Sequence, residues 1–408
     1  MKVTKLGMKI GTIVSGWWII WLLVSYASFT SLKIPGNQTA ILVIVLISAI
    51  FIGIVMPSIN KRVVYDEDQC YQSRLFYRKV QIFALLLIGP FIIFGFLKAI
   101  NIFITQGVAG YRVNFFTSGN LVYTNDISRL YHMIIVSPLI TFTTITSFYE
   151  AVYHQKWKLL FVTFLLGIMN SVLMLGRFYI YEIIVILLFS VFILPNTKEK
   201  KRKNKHLAYK ICVVFVLLIL VLTFVRDGSM IKISELIKRE IIDYHTIGFL
   251  FIDRELNNPT SFTNEFLLLG QKSFGFILRF FHIVMHQLLP GHEYPSIFNI
   301  EGGRNEWVSF STDYSINSNV YNAFYTAITT LYVDGRTFGI VIGGYVLGSV
   351  ISSSARVLAQ DYHPVYYMKL TLSVITIVFS IFQSRIELFC LLYFFIALCE
   401  FTYKAKWK

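Results

Sequence analysis

Arg279, His282 and His286 are the residues whose types and spacing most directly suggest chemistry. They lie three and four positions apart, so a helix would present all three on one face. A histidine with a pKa near neutrality can act as a general base, and a guanidinium can bind phosphate oxygens. The histidines are also spaced like two ligands on a metal-binding helix, but no Glu lies between them and no further ligand is evident. We expect a base and no metal, with polar residues of an interfacial helix as the equal alternative.

Further arginines could bind phosphate groups. Arg177 lies between two apolar runs with almost no loop between them, and Arg226 directly follows another run. Arg254 lies further along, in a polar part of the chain. A guanidinium stays charged and can bind two phosphate oxygens at once, which makes Lys a poor substitute. The alternative is that these arginines contact lipid headgroups or pair with nearby carboxylates.

Carboxylates are the remaining candidates for proton transfer. The acidic candidates are Glu265, Glu301, Asp313 and Asp334, because a carboxylate beside a sugar hydroxyl can accept its proton. Most carboxylates in loops are simply solvated. No phosphate-binding glycine loop or nucleophile elbow occurs in the chain, so chemistry driven by a nucleotide is unsupported.

Most of these residues lie in one polar segment, 226–336, of a chain that is otherwise strongly apolar. Hydrophobic residues make up 56 % of the chain and the mean hydropathy is +0.64, which is typical of a membrane protein. A spanning helix needs ~20 mostly apolar residues. We expect a single all-α integral membrane domain over residues 1–408. Its predicted spans are about 10–30, 38–57, 81–104, 130–150, 157–176, 178–194, 209–225, 337–355, 365–383 and 385–403.

Charge predicts the topology of these spans. Basic clusters recur between them, most densely at 198–203, and cytoplasmic loops are the ones that collect Lys and Arg. Segment 226–336 has a formal charge of −3 from 9 basic and 12 acidic residues, against +18 for the rest. Both termini are therefore expected in the cytoplasm, with 226–336 as a large external loop that contains short helices. The span count would be 11 if residues 319–333 crossed alone, which would put the basic tail outside, and 12 if residues 276–289 also crossed.

Composition excludes several other classes of protein. The net charge of +15 would suit nucleic acid, but the basic residues lie in short clusters between spans, so no nucleic-acid partner is expected. The 4 cysteines show no metal-binding spacing, and none lies in segment 226–336, so a disulfide framework is not expected.

A resemblance to a known family rests on the end of the polar segment. The sequence there reads Asn319-Val-Tyr-Asn322, then Tyr332-Val-Asp334-Gly-Arg-Thr-Phe-Gly339, followed by Gly343 and Gly344. With a short Gly-Arg before a span and a large loop after the seventh span, the chain resembles Wzy-type polymerases of O-antigen or capsule repeat units. Asp334-Gly-Arg stands where that family usually has an Asp-Phe-Gly-like turn.

The resemblance implies a metal-independent glycosyltransferase without a cofactor, in the bacterial inner membrane. Its substrate would be an oligosaccharide on undecaprenyl diphosphate, and membrane lipids, a chain-length regulator and a flippase would be its partners. We expect Arg177, Arg226 and Arg279 to converge on the diphosphate and His282 to act as base. The residues expected to bind substrate are Arg254, His286, Asp313, Asn319, Asn322 and Asp334.

Two other functions compete with this interpretation. A flippase for the same lipid-linked sugar would have short loops and more ionisable residues within its spans, whereas only Glu182 lies plainly mid-span here. An O-antigen ligase would carry a His before the Asn of the helix, where this chain has Ser318.

Overall fold

Helices dominate the structure of this chain. The computed structural model describes residues 5–27, 30, 32–56, 67–117, 126–174, 176–194, 202, 204, 206, 208–217, 219, 234, 238–288, 308–310, 321–323, 326–359 and 363–406. Nearly all of these residues are helical. The exceptions include one small antiparallel sheet, which the sequence pattern did not predict.

The helices follow the apolar runs of the sequence. They are α1 (Lys5–Tyr26), α2 (Asn37–Val55), α3 (Glu67–Thr117), α4 (Asp126–Tyr131), α5 (Ser137–His154), α6 (Lys158–Leu173), α7 (Phe178–Ile193), α8 (Ala208–Leu217), α9 (Tyr244–Asn257), α10 (Phe262–Glu265), α11 (Gly275–Leu288), α12 (Ala327–Leu358), α13 (Pro364–Phe379) and α14 (Ile386–Lys406). Short π-helical stretches precede α5 (His132–Val136) and α9 (Lys238–Asp243). Strands β1 (Val308–Phe310) and β2 (Tyr321–Ala323) pair antiparallel.

Several helices are long and apolar enough to cross a membrane. Within the described ranges there are six such helices: Lys5–Tyr26, Asn37–Val55, Asp68–Gly107, Ile127–His154, Ala327–Leu358 and Ile386–Tyr403. Four shorter apolar helices accompany them: Lys158–Leu173, Phe178–Ile193, Ala208–Leu217 and Pro364–Phe379. The predicted class, a helical membrane protein, is therefore confirmed at this level.

The chain divides into two compact units, each made of discontinuous segments. The first unit contains Met1–Val63, Ile231–Asp361 and Leu372–Cys399. The second unit contains Val64–Met230, Tyr362–Thr371 and Glu400–Lys408. The expectation of a single integral domain stays a prediction.

In the first unit, α2 and α12 approach each other so closely that their backbones touch. A Cβ atom at Gly348 would overlap the carbonyl oxygen of Ile50, and one at Gly53 would overlap the carbonyl oxygen of Tyr345. Only glycine leaves room for such an approach. Small residues at a contact between apolar helices are the usual means of close packing in a membrane, where dispersion forces and not water exclusion hold helices together.

The same contact fixes the direction of the two helices. Gly344 lies against Leu46, and further along Ser352 donates a hydrogen bond of 2.9 Å to the carbonyl of Ile54. Contact positions increase together along both helices, so α2 and α12 run parallel. Helix α1 packs on both of them, and α9 packs on α1 and α2.

Helix α12 contains a sharp turn near its start. Arg336 has a φ of 53° and a ψ of −146°, so it lies outside the right-handed helical region, and the helix changes direction there. A Cβ atom at Gly339 would overlap the carbonyl oxygen of Leu331, so the helix after the turn packs back on the helix before it. A non-glycine residue at positive φ is strained and needs contacts that hold it in place.

The loop boundary differs from the one inferred from sequence. Helix α12 begins at Ala327, within the predicted external loop 226–336, and residues 327–331 are all buried. Helix α9 is also largely buried, because its apolar residues pack against α1 and α2. The segment therefore contributes packed helices to the first unit, and its placement outside the membrane stays a prediction.

In the second unit, α3, α5, α6 and α7 pack around buried polar side chains. Glu182 is 2 % exposed and accepts a hydrogen bond of 2.6 Å from Thr141. Glu150, on α5, accepts two hydrogen bonds from Arg74 in a bidentate pair with distances of 2.6 and 2.8 Å. Burying a charge is costly unless it is paired and hydrogen-bonded, and the bidentate pair with Arg74 meets that requirement for Glu150.

The close contact at Gly348 leads to a stability prediction. Gly348→Leu should destabilise the protein by about 1–3 kcal/mol or more, because the obstacle is a backbone carbonyl that cannot rotate away. Thermal unfolding of the purified protein in detergent measures the effect. Gly16→Leu is the control, because a Cβ atom there meets no atom within 4 Å. Equal unfolding temperatures for both variants would show that α2 and α12 are not in backbone contact.

Candidate functional site

The residues proposed from sequence fall in different parts of the chain. The first unit contains Arg254, Arg279, His282, His286 and Asp334, and the second contains Arg177. Arg226, Asp313 and Asn319 lie outside the described residues. Asn322 is described only by its backbone, which pairs with Ser309 across the sheet.

Helix α11 carries three of these residues. Gly275–Leu288 is helical, which confirms the helix that the spacing of Arg279, His282 and His286 predicted. The described side chains just before and on this helix include exposed apolar ones, among them Phe274, Ile277, Phe280, Phe281 and Met285. A helix with such a face is favoured at a lipid surface, where apolar groups leave water.

Asp334 anchors the segment that leads into α11. Its Oδ1 accepts a hydrogen bond of 2.8 Å from the amide of Lys272. Its Oδ2 accepts from the amide of Ser273 at 2.8 Å and from the Ser273 hydroxyl at 2.6 Å. The carboxylate is only 7 % exposed. Three donors therefore hold Asp334, which makes it a residue that positions α11 rather than one that faces a substrate openly.

Arg336 holds the other side of the turn, a contact that sequence reasoning missed. Its guanidinium donates to the carbonyl oxygens of Thr263 and Asn264, the second at 2.7 Å. It also lies 5.3 Å from the ring centroid of Tyr332. These contacts fix α10 against the turn and explain how a positive φ is maintained at Arg336. The Gly335-Arg336 pair in the sequence was the only signal of a turn here.

The connection from α9 to α10 is closed by a buried carboxylate. Glu255 is 9 % exposed, and its Oε2 accepts a hydrogen bond of 2.8 Å from Thr263. Ser261 caps α10 and donates to the backbone oxygen of Glu255 at 2.6 Å. The neighbouring Arg254 is half-buried at the end of α9. The hydrogen bonds of Glu255 therefore hold the end of α9, where Arg254 lies.

Asp253 binds the start of α2. Its Oδ1 accepts from the amide of Gly36 at 2.9 Å and from the Thr39 hydroxyl at 3.4 Å. A Cβ atom at Gly36 would lie only 2.5 Å from this oxygen, so the site needs glycine. An acidic group at a helix N-terminus is stabilised by the amide groups and the helix dipole. Asp253 therefore joins α9 to α2.

Glu387, at the start of α14, lies beside the start of α11. A Cβ atom at Gly275 would be 3.2 Å from its Oε1, which places the carboxylate near the N-terminal end of α11. The helix dipole favours a negative charge there. Sequence reasoning missed Glu387, because it lies 112 positions after Gly275 and outside segment 226–336.

His245 is enclosed by aromatic rings, a second arrangement that the sequence did not reveal. Its ring stacks on Trp21 at 4.2 Å and meets Trp17 and Phe382 edge-on at 5.5 and 5.0 Å. Its Nδ1 donates to the carbonyl of Ile241 at 2.6 Å. Burial lowers the pKa of His245 and is the larger effect, while the hydrogen bond to Ile241 raises it, and the resulting pKa is about 4. His245 is therefore neutral at physiological pH and acts as an aromatic packing residue.

Neither a metal centre among the described residues nor a known relative identifies this site. Among the described residues, no group of three His, Cys, Asp or Glu side chains could hold a metal ion. No family model, no curated protein and no solved structure matches the chain. The resemblance to Wzy-type polymerases therefore rests on the residues of the chain alone.

The anchoring role of Asp334 can be tested by amide exchange. Asp334→Asn should speed exchange at Lys272 and Ser273 roughly tenfold or more, because a hydrogen bond to a charged group contributes ~1.5–3 kcal/mol. Hydrogen–deuterium exchange with mass spectrometry measures this change. Asp253→Asn is the matched control, which should affect Gly36 and leave Lys272 and Ser273 unchanged. Unaltered exchange before α11 in Asp334→Asn would contradict the anchoring role.

Proposed function

We propose that the protein polymerises oligosaccharide repeat units carried on undecaprenyl diphosphate, at the outer face of the bacterial cytoplasmic membrane. The observation that carries the proposal is α11. It has Arg279, His282 and His286 at helical spacing, other positions of the same helix that expose apolar side chains, and a start fixed by Asp334. A membrane-surface helix with these residues suits a substrate whose tail lies in lipid and whose diphosphate lies at the surface.

The topology that we propose uses the long and the short apolar helices together. In this proposal the six long helices and the four shorter ones would make ten spans, with the span of α12 beginning after the turn at Arg336 and both termini in the cytoplasm. Segment 226–336 would then be external, with α9, α10 and α11 within it. Support comes from its charge of −3, against +18 for the rest of the chain.

The proposed reaction moves the growing chain from one lipid carrier to the next repeat unit. An acceptor hydroxyl attacks the anomeric carbon of the growing chain, and a glycosidic bond forms. The bond from that carbon to the phosphate oxygen breaks, and undecaprenyl diphosphate leaves with the electron pair. A base takes the hydroxyl proton, and His282 is the residue that we propose for this step. The sugar–phosphate bond that breaks drives the transfer, so no nucleotide is needed.

Charge stabilisation is the second requirement of this reaction. Negative charge develops on the departing diphosphate, and a fixed guanidinium can stabilise it without reorganising at the moment of transfer. Arg279 lies one helical turn before His282, so the two residues can serve the leaving group and the acceptor from one helix. Arg177 and Arg226 stay in the proposal as phosphate-binding residues, since each lies at the end of an apolar run.

The substrate-binding roles follow from position in the chain. Arg254 is proposed to bind the sugar or phosphate from the end of α9, and His286 from the next turn of α11. Asp313, Asn319 and Asn322 are proposed to bind sugar hydroxyls, as the family resemblance implies. Asp334 is proposed to act through α11, because its carboxylate is already bound by Lys272 and Ser273.

A flippase for the same lipid-linked sugar is the second candidate. The buried ionisable residues of the second unit favour it, because such residues within spans often mark transport pathways. Glu182 is bound by Thr141, and Glu150 is bound by Arg74. Both carboxylates have structural partners, which is why we rank transport below polymerisation.

Deletion of the gene in its native host separates these functions on a gel of surface polysaccharide. Loss of a polymerase should leave surface molecules with one repeat unit and no ladder. Loss of a flippase would abolish exported sugar, and loss of a ligase would leave long chains that are not attached to their acceptor. Either of the last two patterns would contradict the proposal.

Complementation tests the roles of the α11 residues. Arg279→Lys and His282→Gln should each reduce polymer formation roughly 100- to 1,000-fold, the usual cost of one lost transition-state contact. Arg304→Lys, elsewhere in the segment, is the control and should restore the ladder. Membrane levels of each variant are measured by immunoblot. Normal ladders from both α11 variants would show that this helix does not carry the chemistry.

A further inference from the structure

A small cleft in the second unit has charged and polar side chains among those that line it. Arg74, Arg78, Gln81, Tyr149, Glu150 and the start of α13 at Pro364 line it. The charge pattern predicts that the starts of α3 and α13 face the cytoplasm, because basic residues cluster before α3.

The two arginines of the cleft differ in what they bind. Arg74 is neutralised by its bidentate pair with Glu150. Arg78 is half-buried, lines the same cleft, and has no hydrogen-bond or ion-pair partner among the described residues. One positive charge is therefore available in the cleft. The N-terminal end of α13 adds amide groups that also favour an anion.

The side chain of Gln81 is the second feature of the cleft that could bind a ligand. The residue is fully buried, and its Nε2 donates to Ser147 and to the carbonyl of Thr143. Its Oε1 is buried and accepts no hydrogen bond within the described part of the chain. A buried acceptor without a donor is costly, so a water molecule or a ligand hydroxyl is needed to donate to Gln81 Oε1.

We propose that this cleft binds the hydroxylated phosphodiester headgroup of an anionic glycerophospholipid. The phosphate would contact Arg78 and the start of α13, and a headgroup hydroxyl would donate to Gln81 Oε1. A phosphate alone would satisfy the arginine but would leave Gln81 without a donor. A water-soluble glycerol phosphate offers the same chemistry, and the experiment below distinguishes the two sources.

Native mass spectrometry of the full-length protein in detergent tests the proposal. The wild-type protein should bind phosphatidylglycerol several-fold more tightly than phosphatidylmethanol, which has the same charge but no headgroup hydroxyl. Arg78→Gln should weaken binding of both lipids about tenfold or more. Lys79→Gln is the matched control, because it removes the same charge from an exposed neighbouring residue. It should change binding less than twofold.

The possible results test two points: whether the cleft binds this headgroup, and whether the ligand is a lipid or a soluble glycerol phosphate. Equal binding of the two lipids by the wild-type protein, or equal losses in Arg78→Gln and Lys79→Gln, would overturn the proposal. Glycerol 1-phosphate that displaces the lipid at equal concentration would support the cleft but overturn the lipid as its ligand. Lack of displacement supports the lipid. None of these results depends on polymerase activity, so the proposal fails or stands apart from the proposed function.

Discussion

The backbone contact between α2 and α12 is the constraint on which the first unit depends. Two parallel apolar helices can touch this closely only where side chains are absent, and Gly53 and Gly348 provide those positions. The contact fixes the depth of α12 relative to α2. It therefore also fixes the position of the turn at Arg336 along the axis of α2, and α12 changes direction at this turn.

Two segments near the candidate site are attached to this turn. Asp334 binds the segment that enters α11, and Arg336 binds the backbone of α10. Asp253, on α9, binds the start of α2. Helix α2, which packs against α12, is therefore also joined to the helices near the candidate site. In the first unit, Asp253, Asp334 and Arg336 thus hold α9, α10 and the segment before α11 in place. In the proposed function, these helices present arginine and histidine at the membrane surface.

Sequence reasoning located the apolar helices because their length and composition are set by the thickness of a bilayer. It also placed α11 by the spacing of Arg279 and His282. It did not find the packing of His245 against Trp21 or the bond from Ser273 to Asp334. Residues that meet across 61 or more positions leave no local pattern in one sequence. The family resemblance suggested a turn at Asp334-Gly-Arg, but the contacts that hold it were missed for the same reason, since Arg336 binds Thr263 and Asn264 from more than 70 positions away.

The most direct measurement uses the purified protein in liposomes with an undecaprenyl-diphosphate-linked repeat unit and excess chelator. If the protein polymerises repeat units, we expect a series of lipid-linked products that increase by one repeat unit, together with one released undecaprenyl diphosphate for each bond formed. Mass spectrometry of the lipid extract measures both. Movement of the substrate between leaflets without any new glycosidic bond would contradict the account, as would polymerisation that stops in chelator and resumes with an added metal ion.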